Sequence, residues 1–183
     1  YVWIIDPIDG TMNFVYTLTD FAISVALYQN KVGKIGVICD VMKDELFVGV
    51  KGEGATVNGK PIPKLEPVSV RASIVDVSLR TITTLKEQKR ADLLKMSREI
   101  LSHRNLGSAA LRIAHIATGR IHMYISDTLC IWDFAAGMVI LEEVGGYHNY
   151  LEEDDLFFGP GHFDFFGANS KTQVEEFKEK FYI

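Results

Sequence analysis

The residues best suited to chemistry begin in segment 3–11, WIIDPIDGT. A buried strand should deliver Asp6 at its end, Pro7 should turn the chain, and Asp9 should return to the same point. Two carboxylates at this spacing form a hard-oxygen site suited to Mg²⁺. The amides of Gly10 and Thr11 are placed to bind phosphate, more so if a helix begins there. An Asx-turn without a ligand is the alternative, and two aspartates alone favour it.

A third aspartate, Asp133, stands far along the chain in segment 132–137, WDFAAG. It lies at a predicted helix start and is followed by small residues that leave room for a ligand. Taken alone, Asp133 is predicted to be an N-cap, because capping is the usual role of Asp at such a position. Together with the first motif, this segment belongs to a pattern of four segments, and that pattern weighs against the alternative of a turn without a ligand.

Two further segments, 106–111 (LGSAAL) and 142–146 (EEVGG), complete a pattern. In this order the four segments resemble the inositol monophosphatase family over essentially the whole chain. The resemblance implies a layered α/β fold, an αβαβα sandwich with its N-terminal part missing. It also implies a Mg²⁺-dependent phosphatase and a homodimer.

The metal ligands implied by the resemblance are Asp6, the Ile8 carbonyl, Asp9 and Asp133. Asp6 is expected to bridge two metals, Ile8 to contribute to one, and Asp9 and Asp133 to hold the other. The resemblance implies two or three Mg²⁺ ions and inhibition by Li⁺.

The remaining implied roles concern water and substrate. Thr11 is expected to orient or activate the attacking water. The implied phosphate-binding and substrate-lining residues are Gly10, Thr11, Gly107, Ser108 and Ala109.

Two departures from the family pattern affect these expectations. The family's upstream Gly-Glu-Glu motif and an upstream aspartate are not among residues 1–183, and the chain opens in a strand-like run. We therefore expect further sequence upstream. Ser126 stands where inositol-hydrolysing members carry glutamate, seven residues before Asp133. The adjacent Asp127 should point to the opposite strand face, so inositol is not the expected preference.

Two halves are predicted on either side of a proline-rich stretch: a domain over 1–68 that carries DPIDGT and a domain over 69–183 that carries WDFAAG and the substrate loop. In the first half we predict a meander of strands over 21–28, 35–41 and 45–50, a tight turn at Asn58-Gly59 and a proline-rich crossover over 61–67. In the second half we predict strands over 73–79, 121–125 and 163–167 and helices over 86–101, 107–118, 133–144 and 170–181.

Composition excludes several classes of protein. Of the 183 residues 48% are hydrophobic and 23% charged, and the net charge is −5, with no basic cluster of the kind that binds nucleic acid. No apolar run is long enough to span a membrane. Cys39 and Cys130 lie far apart, which favours buried, reduced thiols and a cytoplasmic protein.

Several polar residues are expected to have ordinary roles. The five histidines (His103, His115, His122, His148 and His162) show no zinc-binding spacing. The run Glu152 to Asp155 is predicted to be a solvated loop edge, and Arg112 an exposed helical arginine.

The expected reaction is direct attack of water on a small phosphorylated polyol, sugar or nucleotide. Fructose-1,6-bisphosphate, bisphosphorylated nucleotides and NADP remain open as substrates. A non-catalytic protein of the same fold that binds RNA or a protein partner is the alternative, and the retained aspartates weigh against it.

Overall fold

The computed structural model describes residues 1–149 and 161–183. Within them, eleven strands form two sheets and six α-helices pack on those sheets, which confirms the layered α/β class. The strands are β1 (Val2–Asp9), β2 (Ala22–Gln29), β3 (Val32–Asp40), β4 (Glu45–Val50), β5 (Gly54–Val57), β6 (Lys60–Pro61), β7 (Ile74–Val77), β8 (Ser102–Arg104), β9 (Met123–Leu129), β10 (Tyr147–His148) and β11 (Phe163–Ala168). The helices are α1 (Thr11–Tyr16), α2 (Leu79–Glu87), α3 (Leu93–Met96), α4 (Ala109–Ala117), α5 (Ile131–Glu143) and α6 (Lys171–Phe181).

The first sheet is an antiparallel meander in the order β1-β2-β3-β4-β5-β6. This confirms the predicted strands of the first half. Asn58 and Gly59 both have positive φ angles, 49° and 74°, and Val57 pairs with Lys60 across the turn. The pattern is that of the two-residue hairpin turn that Asn-Gly predicts.

The second sheet has the order β10-β11-β9-β7-β8 and is mixed. Strands β8 and β9 run parallel to β7, whereas β11 runs antiparallel to β9. The chain passes from the first sheet to the second through segment 61–67, where the Leu65 amide donates to the Val144 carbonyl at 2.8 Å. Helices α4 and α5 pack between the sheets, and α2, α3 and α6 cover the other face of the second sheet.

Helix α5 approaches the first sheet closely because two glycines face it. A Cβ atom on Gly36 would lie 2.2 Å from the Ala136 carbonyl oxygen, and one on Gly49 would lie 2.8 Å from the Ile140 Cα. The buried Tyr28 hydroxyl also donates to the Ala135 carbonyl at 2.9 Å. These contacts fix α5, which carries Asp133 in its first turn, against β2, β3 and β4.

The predicted helix over 86–101 is wrong. Helix α2 begins at Leu79, where Ser78 accepts the Thr81 amide, and it ends at Glu87. Lys89 then adopts a positive φ of 54°, and Asp92 caps the separate short helix α3. The predicted strand over 73–79 is therefore shorter, at Ile74–Val77, because Ser78 already belongs to the helix cap.

Other predicted boundaries hold to within a few residues. Gly119 follows α4 with a φ of 70°, and Ser170 caps α6 by accepting the Gln173 amide. Both cysteines are only partly buried, which corrects the expectation of buried thiols. The run Glu152 to Asp155 lies outside the described residues.

The outer face of the first sheet is apolar and exposed. Trp3 is 60% exposed, Ile5 56% and Leu46 44%. Across the described part of the chain, the helices are all too short or too polar to span a bilayer.

Candidate metal centre

The end of β1 brings two carboxylates together through an irregularity in the strand. Asp6 pairs with Ser24 and Asp9 with Ala22, so the register shifts between them. The Ile8 amide donates to Asp6 Oδ1 at 3.0 Å, which closes an Asx-type turn around Pro7. Gly10 follows with a φ of 85° and precedes α1. The sequence thus turns the chain so that Asp6 and Asp9 approach the same point.

Asp133 reaches this point from α5, but not as the predicted N-cap. The cap is Cys130, and the helix begins at Ile131. Asp133 lies in the first turn, where its Oδ2 accepts the Cys130 amide at 2.7 Å. The other carboxylate oxygen of Asp133, Oδ1, takes no part in this hydrogen bond. The position remains favourable for a negative charge because it is at a helix N-terminus.

The three aspartates form one cluster. Oxygens of Asp6, Asp9 and Asp133 lie within 4.8 Å of one another, and Asp9 is only 6% exposed. Burial raises the pKa of all three carboxyls, that of Asp133 to about 6, and repulsion between the aspartates adds to the effect at Asp9 and Asp133. A bound cation would relieve this repulsion, and the all-oxygen donor set fits Mg²⁺.

Asp9 is held by the segment that precedes and begins α4. The Ser108 hydroxyl and the Ala110 amide, the latter at 2.8 Å, both donate to Asp9 Oδ2. The Ser108 side chain is fully buried and also caps α4 by accepting the Leu111 amide. Ser108 therefore orients Asp9, and its neighbours Gly107 and Ala109 are carried on the same turn.

The side chain of Asn13 ties this turn to α1, a contact that the sequence analysis missed. Its Nδ2 donates to the Asp20 carbonyl at 2.8 Å and to the Leu106 carbonyl at 2.7 Å. A Cβ atom on Gly107, whose φ is 84°, would lie 2.7 Å from the Asn13 Nδ2. The segment that supports Asp9 is thereby fixed against the helix that carries Thr11.

Arg112 is buried, so the prediction of an exposed arginine is wrong. Its Nε lies 2.8 Å from Asp76 Oδ1, and the two side chains are 8% and 0% exposed. Further guanidinium nitrogens donate to Asn105 Oδ1 at 2.6 Å and to the Tyr124 hydroxyl at 3.1 Å. Asp76 also accepts the Leu106 amide at 3.0 Å. This buried ion pair is a second contact that fixes segment 105–108, in addition to Asn13.

Thr11 and Ile8 lie beside the cluster. The Thr11 hydroxyl donates to the Ile8 carbonyl at 3.1 Å, which leaves the hydroxyl lone pairs available as acceptors. Thr11 is the first residue of α1, so its amide belongs to the first-turn donors that have no acceptor within a helix.

Ser126 lies on β9, is half-buried and also borders a cavity of about 320 Å³ that none of the three aspartates lines. Its hydroxyl is hydrogen-bonded to Tyr124, whose pKa is raised by burial and also by the charge of the nearby Asp9 carboxylate. Ser126 is thus connected to the aspartate cluster through Tyr124. Asp127 accepts the Thr81 hydroxyl at 2.8 Å and thus faces α2, as the strand alternation predicted.

The raised pKa of Asp133 predicts a pH dependence. Its folded-state pKa of about 6 exceeds its ordinary value of 3.8, so the metal-free protein should lose stability as the pH rises through this range. Mg²⁺ needs the ionised carboxylates. We therefore expect Mg²⁺ to raise the thermal midpoint more at pH 7.5 than at pH 5. Equal shifts at both pH values would contradict the assignment, and Asp133→Asn should reduce the difference.

The model of the inositol monophosphatase family matches residues 1–177. The inositol-1-monophosphatase of Bacillus subtilis is 40% identical over 178 residues, covering 96% of this chain and 67% of that protein. The Nus factor SuhB of Xylella fastidiosa is 36% identical, covering 80% and 54%. The fructose-1,6-bisphosphatase/inositol-1-monophosphatase of Thermotoga maritima is 38% identical, covering 79% and 55%. The chain thus spans between about half and two thirds of these relatives.

Solved structures of inositol monophosphatases are also similar to this chain. Staphylococcal IMPase-II with bound inositol monophosphate superposes with a TM-score of 0.87 at 34% identity, covering 98% of this chain and 68% of that one. The same protein with bound 2'AMP gives 0.85 at 33% identity, covering 97% and 69%. The family match over 177 residues, the relatives at 36–40% identity and the common fold all agree. The chain belongs to the inositol monophosphatase family.

Proposed function

We propose that the protein hydrolyses a small phosphate monoester in a Mg²⁺-dependent reaction. The observation that carries the proposal is the cluster of Asp6, Asp9 and Asp133, which unites two segments more than 120 residues apart. The names of the Bacillus and Thermotoga relatives, and the inositol monophosphate and 2'AMP bound by the staphylococcal protein, support a small phosphorylated substrate. We also propose that the protein is a cytoplasmic homodimer and that Li⁺ inhibits it.

In this account the three aspartates and the Ile8 carbonyl would hold two or three Mg²⁺ ions, with Ile8 contributing to one ion and Asp9 and Asp133 to another. Magnesium, when bound, supplies positive charge that offsets the phosphate oxygens and favours ionisation of water. The Thr11 hydroxyl, which donates to Ile8, accepts a hydrogen bond from the attacking water and orients it. The amides of Gly10 and Thr11 donate to the phosphate. Water then attacks phosphorus directly, and alcohol and inorganic phosphate leave without a phosphoenzyme.

The residues around Asp9 have two different roles in this proposal, either positioning Asp9 or lining the substrate. Because Ser108 and Ala110 both donate to Asp9 Oδ2, that carboxylate is held in one orientation and Oδ1 is left for the metal. Ser108 is fully buried, so we assign it to positioning Asp9. Gly107 and Ala109 are the members of this turn that we expect to line the substrate.

A substrate panel tests the proposal. The full-length protein with Mg²⁺ should release phosphate from at least one of inositol 1-phosphate, fructose-1,6-bisphosphate, 2'-AMP and NADP, and chelation should stop the release. In the rival proposal the protein is not catalytic and binds RNA or a protein partner. The similarity to a Nus factor is the observation that supports this rival. Absence of Mg²⁺-dependent release from every substrate would support this rival.

The substrate preference is expected to depend on Ser126. A glutamate at this position would accept hydrogen bonds from ring hydroxyls, each worth roughly 1.5–3 kcal/mol, and serine is too short and uncharged to replace it. We expect sugar or nucleotide phosphates to be hydrolysed at least as well as inositol 1-phosphate. Ser126→Glu should raise kcat/KM for inositol 1-phosphate about ten- to a hundredfold.

The variant Ser126→Gln is the matched control for this prediction, since it adds the length of glutamate without its charge. It should give a smaller gain than Ser126→Glu. A strong inositol preference in the unchanged protein, not increased by glutamate, would mean that Ser126 does not set specificity.

A further inference from the structure

A second group of metal-ligating side chains lies apart from the three aspartates. Asp40 ends β3, Glu45 begins β4, and His115 lies on α4. One imidazole nitrogen and one oxygen of each carboxylate lie within 4.8 Å of one another. No linear spacing reveals this group, because its members come from separate elements and His115 is 70 positions from Glu45 in the chain.

His115 is the unusual member of the group. It is only 7% exposed, and its Nε2 is fully buried with no hydrogen-bond partner within the described part of the chain. Buried polar atoms normally have a partner, so the unpartnered nitrogen of an imidazole that lies beside two carboxylates calls for a ligand. Burial, and then the charges of Arg120 and Lys43, lower the pKa of His115 to about 4, against the opposing effects of Glu45 and Asp40.

Two cations already contact the carboxylates. Lys43 Nζ lies 3.2 Å from Asp40 Oδ2 and 2.7 Å from Asp20 Oδ1. Arg120 donates to both oxygens of Glu45, at 2.6 and 2.5 Å. Each carboxylate oxygen has a second lone pair, so these bonds leave room for a ligand. The two bonds from Arg120 fix the orientation of Glu45, as outer hydrogen bonds commonly do for carboxylates that bind metals. The ammonium group of Lys43 instead competes with a metal for Asp40.

We propose that Asp40, Glu45 and His115 form a second metal site that binds a divalent transition cation of the Zn²⁺ type. Three protein ligands, one nitrogen and two oxygens, match the donor number of an open zinc site. The imidazole nitrogen among the donors favours Zn²⁺ over Mg²⁺, because Mg²⁺ prefers oxygen ligands. Asp9, Ala22 and Asp40 are consecutive partners across β1, β2 and β3, so the new site is two strand spacings, about 10 Å, from the aspartate cluster.

Titration calorimetry with Zn²⁺ tests this proposal. The full-length Asp133→Asn variant, in excess Mg²⁺, serves as the background in which the aspartate cluster is impaired. We expect one Zn²⁺ to bind there, and His115→Gln to weaken that binding at least about a hundredfold, since even outer contacts change metal affinity 10- to 100-fold. The exposed His103 provides the matched control, and His103→Gln should leave the isotherm unchanged.

Two further variants keep the test decisive if His115→Gln fails to fold. Glu45→Gln removes a ligand at the partly exposed start of β4 and should also weaken binding. Lys43→Met removes a competing cation from Asp40 and should strengthen it. Unchanged Zn²⁺ affinity in Glu45→Gln and in His115→Gln, or no Zn²⁺ bound in the Asp133→Asn background, would overturn the proposal.

Discussion

Asp133→Asn should reduce Mg²⁺-dependent phosphate release by on the order of a thousandfold. A catalytic metal contributes several kcal/mol to transition-state stabilisation, and about 4 kcal/mol corresponds to this factor. Asn keeps the shape of Asp and one oxygen, which can still accept the Cys130 amide that Asp133 now accepts at 2.7 Å. The start of α5 should therefore remain intact, and only the negative charge at the cluster is lost.

Asp92→Asn is the matched control for that measurement. Asp92 caps α3 by accepting the Lys95 amide at 2.9 Å, and it belongs to neither group of metal-ligating residues. The same chemical change there should leave turnover unchanged. Near-normal hydrolysis by a folded Asp133→Asn protein would remove Asp133 from the catalytic site.

Arg112→Met should reduce the free energy of unfolding by about 3–5 kcal/mol, the usual cost of leaving a buried charge without its partner. Asp76 has a fully buried side chain and faces the Arg112 Nε at 2.8 Å, and burial already raises its pKa. The substitution also removes the bonds to Asn105 and Tyr124. Chemical denaturation measures the loss.

The exposed pair of Arg120 and Glu45 provides the comparison for this stability change. Their side chains are 39% and 21% exposed, so Arg120→Met should cost no more than about 1 kcal/mol. Adding Asp76→Leu to Arg112→Met should recover part of the lost stability, because the isolated charge is then removed as well. A loss below about 1 kcal/mol in Arg112→Met would contradict the buried-pair assignment.

The meander of the first sheet was predictable because its signals are local. Asn58-Gly59 requires the positive φ angles that the structure has, and β2, β3 and β4 carry the apolar and β-branched residues expected of strands. Asp6, Asp9 and Asp133 could be singled out because each stands at the end of a predicted element. Their proximity depends on how α5 packs, and only the resemblance to a family pointed to it.

The wrong predictions came from tertiary contacts that local patterns do not contain. The segment 86–101 has apolar residues at helical spacing, but the helix is interrupted near Lys89, which has a positive φ angle. Ala91 instead forms a β-bridge with Tyr182. Arg112 looked exposed because its partner Asp76 is on a distant strand. The grouping of His115 with two carboxylates was missed for the same reason.

Anomalous diffraction from Mn²⁺-soaked crystals of the full-length protein tests the central claim most directly. Mn²⁺ takes the same oxygen ligands as Mg²⁺ and can be located by its anomalous signal. We predict a peak in coordination contact with carboxylate oxygens of Asp6, Asp9 and Asp133, and its loss in Asp133→Asn. Mn²⁺-supported hydrolysis without a peak at these three aspartates would contradict the account.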